Sequence, residues 1–379
     1  MKKARQILFW ILTIINFVIP KNRKLIVIYG RRMLNENNEA LLDFLLNNNY
    51  ERVYEIILLV SRDVQHNYRS RPNFSIVNNS ILTFWYTLRA KYIFHTHGMS
   101  LCKHVPSRSQ IIFNLWHGSP LKRIGLMAGE KIRNRDTYFL CASPFFAAKH
   151  KLCFAIDDRQ IFIGSNPRND VLFHHIDVKP IIGVDDNSKL IIMMPTYRFS
   201  KKMSKVDSDI EFPILNKDNI RELSDFLYRH NVFLVIKMHP YQDKISFLEK
   251  EYGNIIVLRN EDIQKKGIKL YELLGNSDAL ITDFSSVYFD YLLLNRPIGF
   301  AVDDMEMYSQ NRGYTVDNPI ELMPGIFLKD ITDLKVFVEQ VTNNVDNYKE
   351  ERKAVNIKCN TYVTPDASQR ILEFLGINK

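Results

Sequence analysis

Short apolar runs alternate with helical patterns along almost the whole chain. The runs are rich in Ile, Leu, Val and Phe and are bounded by turn residues. They predict strands at residues 25–29, 55–60, 92–95, 111–115, 137–141, 160–163, 190–195, 232–238, 255–258, 279–282 and 298–300. Apolar residues at helical spacing predict helices between many of them, for example at 36–47, 220–230, 268–274 and 286–295, and a last helix at 365–375.

Strands separated by helices favour an α/β fold with parallel sheets and crossover helices. The pattern loosens into polar turn residues over 164–186, and 379 residues suit two domains. We therefore expect two Rossmann-like domains, residues 25–180 and 181–379, facing each other across a cleft. In such folds ligands bind at the carboxyl ends of the strands. Neither a GxGxxG fingerprint nor a P-loop is present in the sequence.

The first 24 residues form a segment of their own. Residues 7–19 are almost continuously apolar and have lysines and arginines on both sides. The run is shorter than the roughly 17–25 residues that span a bilayer, and no small-residue cleavage site follows it. It is either a helix lying in the lipid headgroup plane or a helix packed on the first domain. The basic flanks favour a membrane-facing role.

The positive net charge limits the classes of partner that we expect. A net charge of +9 and a pI of about 9.1 favour anionic partners, namely nucleic acid, phosphorylated substrates or an anionic membrane. No RNA-binding signature, zinc-finger spacing or long lysine tract is present, so we do not expect a nucleic-acid partner. The four cysteines lack CxxC spacing, which argues against a disulfide framework or a zinc site and favours a reducing cytoplasm.

Four short motifs fall at predicted strand ends: LWHGSP around His117, GSNPRND at 164–170, IKMHP around His239, and ITDFSSV at 281–287. A histidine there can take a proton from a hydroxyl or contact a phosphate. Gly118 lets a substrate approach the backbone. Ser285 or Ser286 can cap a helix whose free N–H groups bind an anion.

Each motif also has a plain structural interpretation. A histidine at a strand end is more often a structural hydrogen-bonding group, and the chain places histidines elsewhere too, at 95, 97, 174 and 175. ITDFSSV is also compatible with an ordinary helix cap, and NPRND with an ordinary turn. The joint arrangement favours function, because each half carries one histidine at a strand end and a helix start suited to an anion completes the set.

These motifs, in this order, resemble the CDP-glycerol glycerophosphotransferases of wall teichoic acid synthesis and their capsule-polymer relatives. The matching pieces are LWHGSPLKRIG, FLCASPFF, GSNPRND, MMPTYRF, IKMHP and YELLGNSDALITDFSSVYFDYLLLNRPIGF, followed by NRGY. They cover roughly residues 111–314. The resemblance implies a glycosyltransferase-B-like fold and transfer of glycerol phosphate from CDP-glycerol to a hydroxyl of a membrane-linked acceptor.

The resemblance also implies roles for single residues. His117 would be the general base, Asp136 its acidic partner, and His239 would bind or protonate the leaving diphosphate. The cytidine diphosphate would be held by Thr282, Asp283, Ser285, Ser286 and Arg312. The other substrate-binding positions would be Gly118, Asn166, Pro167, Arg168, Thr196 and Lys237.

Two departures from the polymerases of the family favour addition of one or few units by a primase-like or capsule-type enzyme. A large extra N-terminal region is not part of this sequence, and the stretch between His117 and Asp136 is short where polymerases tend to carry a membrane-contacting insertion. The apolar segment at 7–19 would then supply the membrane contact, at the cytoplasmic face of the cell membrane.

Alternatives remain open at this point. The donor is CDP-glycerol or CDP-ribitol, or the enzyme transfers a sugar from a nucleotide sugar. A rival of another class is a silent membrane-binding module with the same fold, and DNA binding is a distant third. No cofactor is expected, since no acidic cluster is typical of a metal site; a Mg²⁺ carried on the diphosphate stays open.

Overall fold

A computed structural model describes residues 11, 14–30, 34–62, 64, 66–99, 107, 109–132, 134–174, 176–196, 212, 214–238, 245–302 and 313–379. The chain divides into two compact units. Unit 1 comprises Met1–Ser119, Ile124–Val171 and Thr361–Lys379, and unit 2 comprises Pro120–Arg123 and Leu172–Asn360.

Unit 1 is built on one parallel sheet of seven strands in the order β3-β2-β1-β4-β5-β6-β7. The strands are β1 Asn22–Gly30, β2 Glu55–Val60, β3 Phe74–Val77, β4 Ala90–His95, β5 Ile111–Asn114, β6 Tyr138–Cys141 and β7 Ile161–Ile163. The helices are α1 Glu36–Asn47, α2 Ser80–Arg89, α3 Pro144–Phe154, α4 Pro167–Val171 and, from the end of the sequence, Ala367–Phe374, which is called α12 below.

The interior strand β1 is buried on both faces over residues 25–30, which explains the apolar run at 25–29. Ile26 and Ile28 join a core cluster that includes residues of α1 and α12. Leu25 and Val27 point to the opposite face and join a second cluster. An apolar run without alternation is therefore the expected signature of an interior strand.

Unit 2 is built on a second parallel sheet, of six strands in the order β10-β9-β8-β11-β12-β13. The strands are β8 Lys189–Met194, β9 Val232–Lys237, β10 Ile255–Leu258, β11 Ala279–Thr282, β12 Ile298–Ala301 and β13 Ile326–Leu328. The helices are α5 Lys179–Ile182, α6 Ile220–Arg229, α7 Asn260–Lys265, α8 Leu270–Gly275, α9 Val287–Tyr291, α10 Ile331–Thr342 and α11 Lys349–Cys359. Apolar residues of α6 and α10 pack with β8 and β9 in one core cluster.

The expected α/β class with two parallel sheets is confirmed, and every predicted strand is present. The expected boundary near residue 180 differs from the observed one, which lies between Val171 and Leu172. Residues Thr361–Lys379 also return to unit 1, because α12 packs its apolar side into the first core. In the described part of the chain, no helix combines the length and the apolar character that crossing a membrane requires.

Candidate active site

His117 sits in a sharp backbone turn directly after β5. Trp116 adopts a φ of 51° and Gly118 a φ of 136°, so both neighbours of the histidine lie in the left-handed region. For a bulky residue such as Trp116 this conformation costs roughly 1–2 kcal/mol, and Gly118 adopts its own without a side-chain clash. The Asn114 side chain accepts a hydrogen bond from the Trp116 N–H at 2.8 Å, which supports the turn.

Two aromatic rings stack on the His117 imidazole. The Trp116 ring lies 3.8 Å from it, centroid to centroid, at 29°. The His97 ring lies 4.6 Å from it at 16°. His97 follows the end of β4, the strand beside β5, and Thr96 Oγ1 is 2.8 Å from its Nδ1. The His117 ring therefore has a fixed orientation, while part of the residue stays exposed.

His117 is held in its neutral form. Burial disfavours the imidazolium, and the nearby His97 and Arg168 disfavour a further positive charge, so the pKa of His117 falls to about 3. A histidine with this pKa carries a free nitrogen lone pair at neutral pH, so the ring can accept a proton.

Asn37, in the first turn of α1, fixes the backbone that leads to His117. Its side-chain amide donates to the carbonyl oxygens of Leu115 and Trp116 at 3.2 and 3.1 Å. Its oxygen accepts the Arg168 backbone N–H at 3.2 Å. The Arg168 guanidinium in turn donates to the His117 carbonyl at 3.1 Å. Three consecutive carbonyls around the histidine are thus held by two buried side chains.

The GSNPRND motif lies beside this loop. Pro167 begins the short helix α4. The Asn166 side chain accepts from the Asn37 amide at 3.3 Å, and Asn166 and Pro167 are both buried. The motif therefore meets the His117 loop through Asn37 and Arg168.

Asp136 pairs with His95, and not with His117 as the resemblance implied. One carboxylate oxygen is 2.9 Å from His95 Nε2, and the other accepts from the Asn114 side chain at 2.9 Å. The Gly98 N–H donates to His95 Nδ1 at 3.1 Å, so Nδ1 is the unprotonated nitrogen and Nε2–H donates to Asp136. The physical reason is the sheet order: β4 lies between β1 and β5, which brings His95 next to Asn114.

In unit 2, Asp283 and Thr196 join the ends of two adjacent strands. Thr196 follows β8 and donates both its backbone N–H and its hydroxyl to one Asp283 oxygen, at 2.9 and 2.6 Å. Thr282, the last residue of β11, donates its hydroxyl to the Met194 carbonyl at 2.8 Å. The ITDFSS and MMPTYRF motifs thus meet at the carboxyl edge of this sheet, where ligands bind in parallel α/β folds.

The sequence predicted that Ser285 or Ser286 caps a helix, and the structure shows no such cap at Ser286. Ser286 precedes α9, but its side chain makes no capping hydrogen bond, since its own backbone is already helical. Ser285 and Ser286 are both partly exposed.

Lys237, the last residue of β9, is buried. Its ammonium donates to the Met238 carbonyl at 2.8 Å and to the Asn260 side chain at 2.6 Å. Its neighbour in the motif, His239, lies outside the described residues, and so does Arg312.

The segment that follows the histidine turn, Pro120–Arg123, belongs to unit 2. The Thr315 N–H donates to the Leu121 carbonyl at 2.8 Å, and the Arg123 N–H donates to the Gly313 carbonyl at 3.1 Å. The Arg123 guanidinium donates to the Tyr314 carbonyl at 3.1 Å. This arginine therefore supports the chain that follows Arg312.

Among the residues that the structure describes, no group of three or more His, Cys, Asp or Glu side chains is arranged to hold a metal ion.

The family model for CDP-glycerol:poly(glycerophosphate) glycerophosphotransferases matches residues 11–376. The chain belongs to this family. It is a transferase of the CDP-glycerol glycerophosphotransferase family, as the motifs indicated, and these enzymes serve teichoic acid biosynthesis.

Among curated relatives of this glycerophosphotransferase family, a teichoic acid poly(glycerol phosphate) polymerase of Bacillus spizizenii is 27% identical over 92% of this chain and 91% of its own length. A teichoic acid ribitol-phosphate primase of the same species is 25% identical over 72% of this chain and 71% of its own. A teichoic acid glycerol-phosphate transferase of Staphylococcus aureus is 27% identical over 68% and 69%.

Solved structures confirm the glycosyltransferase-B-like fold of this family member. The wall teichoic acid polymerase TagF superposes with a TM-score of 0.76 at 20% identity, over 99% of this chain and 95% of TagF. The UDP-GlcNAc 2-epimerase of Neisseria meningitidis superposes with a TM-score of 0.51 at 14% identity, over 93% and 100%.

Three residues of the site escaped the sequence analysis of this family member: Asn37, His95 and His97. In the sequence, the two histidines were noted only as examples of histidines outside the four motifs. The signal that could have found them is positional, because FHTHG ends the strand beside LWHG in a parallel sheet, and strand ends of one sheet share an edge. Asn37 gives no such signal, since an asparagine in the first turn of a helix is common in any role.

Proposed function

We propose that the chain transfers glycerol phosphate from CDP-glycerol to a hydroxyl of a membrane-linked teichoic acid or capsule-type acceptor. The acceptor oxygen forms a bond to the phosphorus that carries glycerol, the bond from that phosphorus to the bridging oxygen breaks, and CMP leaves. The hydroxyl proton goes to His117. Phosphoryl transfer of this kind depends on positioning and on stabilisation of negative charge.

The observation that carries the proposal is the state of His117. Its ring is neutral and stacks on two other rings. The backbone carbonyl of His117 accepts a hydrogen bond from Arg168, which anchors the residue. A ring with a pKa of about 3 is a weak base on its own. Negative charge on a bound diphosphate would raise that pKa, because an anion stabilises the imidazolium, and would thereby strengthen the base in the presence of the donor.

The His95–Asp136 pair takes a positioning role in this proposal. Asp136 holds both His95 and Asn114, and Asn114 supports the Trp116 turn. Loss of the carboxylate would therefore loosen the loop that orients His117.

We assign the donor side to unit 2. Thr282, Asp283, Ser285 and Ser286 would hold the cytidine diphosphate with Arg312, and His239 would contact the leaving diphosphate. The hydrogen bonds between Thr196 and Asp283 support this assignment, because they order the edge of the sheet where these residues gather. The proposed substrate-binding set is completed by Gly118, Asn166, Pro167, Arg168, Thr196 and Lys237.

CDP-ribitol is the second candidate donor, and the similarity to a ribitol-phosphate primase supports it. Both polyol donors release CMP, whereas transfer of a sugar from a nucleotide sugar would release a nucleoside diphosphate.

Addition of one or few units stays a prediction, which the mass of the product tests. We further propose a peripheral location at the cytoplasmic face of the membrane, supported by the charge of the chain and by the membrane-linked acceptor.

The test is incubation of the protein with CDP-glycerol or CDP-ribitol and a lipid-linked acceptor, following CMP release and product mass. His117→Ala should reduce turnover by about 10²–10⁴-fold, the typical contribution of a positioned base. The fold should stay intact, and thermal unfolding of the variant checks this.

His174→Ala is the matched control, because His174 is an exposed histidine of the chain. It should release CMP at the unmodified rate. Near-normal turnover of a folded His117→Ala variant would refute the assigned base, and failure of either polyol donor to yield CMP would refute the reaction.

A further inference from the structure

Helix α2 has an inverted burial pattern, meaning that polar side chains face the core and large apolar side chains face outward. It buries two threonines, Thr83 and Thr87, against unit 1. It exposes Ile81 by 77%, Trp85 by 50% and Leu82 by 44%. A surface helix of a globular protein normally does the opposite, with its apolar stripe towards the core. Three large apolar side chains on one short helix therefore face outward.

The helical residues 14–18 are inverted as well. Asn16 is buried, while Ile14, Phe17 and Val18 are exposed by 62%, 67% and 73%. Two neighbouring stretches of the same unit thus turn polar side chains inward and apolar ones outward. We call the six exposed side chains the apolar face: Ile14, Phe17, Val18, Ile81, Leu82 and Trp85.

A buried glutamine joins the two stretches. Gln110 donates its amide to the carbonyls of Thr87 and Ala90, at 2.7 and 2.9 Å, at the end of α2. Its oxygen accepts the Asn16 amide at 3.2 Å. Gln110 therefore contacts both stretches, through the backbone at the end of α2 and through the side chain of Asn16.

Lys21 ties the same two stretches together. Its ammonium donates to the Asn16 carbonyl and side-chain oxygen at 2.7 and 2.8 Å, and also to the Leu88 carbonyl near the end of α2. Residues 14–18 and α2 are therefore anchored at one place by polar groups. These hydrogen bonds join the two stretches to each other.

The two stretches that carry the apolar face lie in parts of the sequence that contain no acidic residue. Residues 1–35 and 64–129 contain sixteen lysines and arginines and no aspartate or glutamate. The whole chain has a net charge of +9, so the remaining sequence is net negative. The acid-free stretches include residues 14–18 and all of α2.

Several of these cations lie beside the apolar face. The Arg89 guanidinium lies over the Trp85 ring, 4.9 Å from its centroid. Asn22 pairs with Ala90 in the sheet, which places the exposed Arg23 near Lys91. Burial and the charge of Arg23 lower the pKa of Lys91, in agreement with this closeness. The outward surface therefore combines aliphatic, indole and cationic groups.

We propose that the apolar face docks on an anionic lipid bilayer, with its side chains at the level of the headgroups. Exposed aliphatic residues, a tryptophan and nearby cations, set in acid-free stretches of the sequence, are the features of an interfacial membrane surface. A second copy of the chain fits less well, because a symmetric contact would place like charges against each other. This inference deepens the proposed membrane location and rests on it, while vesicle binding is measured apart from transfer.

The test is flotation of the full chain with vesicles of phosphatidylglycerol and phosphatidylcholine, and with vesicles of phosphatidylcholine alone. The unmodified protein should float with the anionic vesicles and bind less at high salt. Replacing Ile81→Ser and Trp85→Gln together should lower the partition coefficient at least about tenfold, since two apolar side chains lose their burial in lipid. The melting temperature should not fall, because both side chains are exposed.

The matched control is Tyr228→Gln with Ile357→Ser, two side chains of unit 2 that are exposed by 74% and 79%. This variant should float like the unmodified protein. The Ile81/Trp85 variant should also release CMP normally with a water-soluble acceptor analogue, which separates docking from catalysis.

Three results would overturn the proposal. The first is absence of binding of the unmodified chain to anionic vesicles, and the second is equal binding by the Ile81/Trp85 variant. The third is a dimer of the unmodified chain, seen by light scattering, that the same variant converts to a monomer, because the face would then bind a second copy. Absence of CMP release alone would refute the proposed reaction and leave the docking result standing.

Discussion

At the scale of single residues, the His117 loop depends on a side chain outside its own motif. Asn37 reaches the loop from α1 and uses both its donors and its acceptor there. A buried amide that satisfies several backbone groups at once is costly to remove, because each group left without a partner loses its hydrogen bond in an environment without water.

Asn37→Ala should therefore reduce turnover at least about tenfold, since small displacements of a catalytic group have large effects on rate. It should also lower the melting temperature. The measurement is CMP release together with thermal unfolding.

Asn38→Ala is the matched control, because the next residue of the same helix is also buried and its amide donates to the Tyr29 carbonyl instead. It should lower stability and leave the turnover of the folded protein close to normal. Equal losses of turnover in the two variants would show that Asn37 acts through stability alone.

His150 is a buried histidine that the proposed reaction does not use. Its ring packs against Trp116, Phe139 and Phe154. Its Nε2 has no hydrogen-bond partner among the described residues, and burial lowers its pKa to about 3. A histidine that is neutral when folded and free to take a proton when unfolded makes folding sensitive to acid.

The direction of the pH effect on folding stability follows from this difference in pKa between the folded and unfolded states. The contribution of His150 to stability is present above the ordinary histidine pKa of 6.5 and is lost as the pH falls towards about 3. At pH 5 this one group would cost about 2 kcal/mol relative to pH 8. His150→Phe should remove that part of the loss and fit the aromatic cluster, so its advantage over the unmodified protein should grow between pH 7 and pH 5.

The measurement is denaturant unfolding at several pH values, with the exposed His174→Phe as control. The control should follow the unmodified protein across the range. A constant difference between His150→Phe and the unmodified protein at all pH values would contradict the assigned cause.

At the scale of elements, α12 receives its N-terminal cap from another helix. The Asp170 carboxylate, in α4, accepts the N–H groups of Ala367 and Ser368 at 2.9 and 3.0 Å. The residue at the usual capping position, Asp366, makes no such bond. Asp170 therefore joins residues that are far apart in sequence, near the loop that carries His117.

Asp170→Ala should lower the free energy of unfolding by about 1–3 kcal/mol, since two buried N–H groups lose their acceptor. Asp330→Ala is the comparison, because Asp330 caps its own helix α10 at an exposed position. Its loss should be smaller, as water replaces the acceptor. Denaturant unfolding measures both, and equal effects would contradict a special role for the cap from α4.

The elements were predictable where burial dominates the sequence. Interior strands such as β1 and β11 are covered on both sides, so they appear as apolar runs. The two strands missed, β3 and β13, are short and lie at sheet edges, where FSIV and IFL do not stand out. Helix α2 shows the limit of periodicity, since three of its large apolar residues, Ile81, Leu82 and Trp85, are exposed.

The candidate site was predictable in its motifs but not in its pairings. The motifs that carry His117, Arg168 and Asp283 stood out because they follow predicted strands, whose ends share an edge within each parallel sheet, and the roles of these residues stay predictions. The partner of Asp136 depends on which strand neighbours β5, and sheet order is not encoded in any local pattern. His95 therefore entered the site only through the topology.

At the scale of the whole molecule, unit 1 is assembled from separated parts of the chain. Residues Thr361–Lys379 belong to it, and Ile371 and Leu372 of α12 are fully buried in its core. Deletion of residues 361–379 should therefore unfold or loosen unit 1, because a covering helix and its cap are lost together.

Hydrogen exchange measures this outcome by unit. Amides of β5 and β6 should exchange faster after the deletion, while amides of β8 and β11 in unit 2 should keep their protection. Equal acceleration in both sheets, or in neither, would contradict a local role of these residues.

The return of residues 361–379 also bears on synthesis. Domains commonly fold as units while the ribosome is still working, beginning with the part made first. Here the unit that is started first is completed only after residues 361–379 have emerged, whereas Leu172–Asn360 can form its sheet earlier. The apolar surface that α12 later covers therefore stays open on the nascent chain until these residues are made, and we expect chaperones to bind it during that interval.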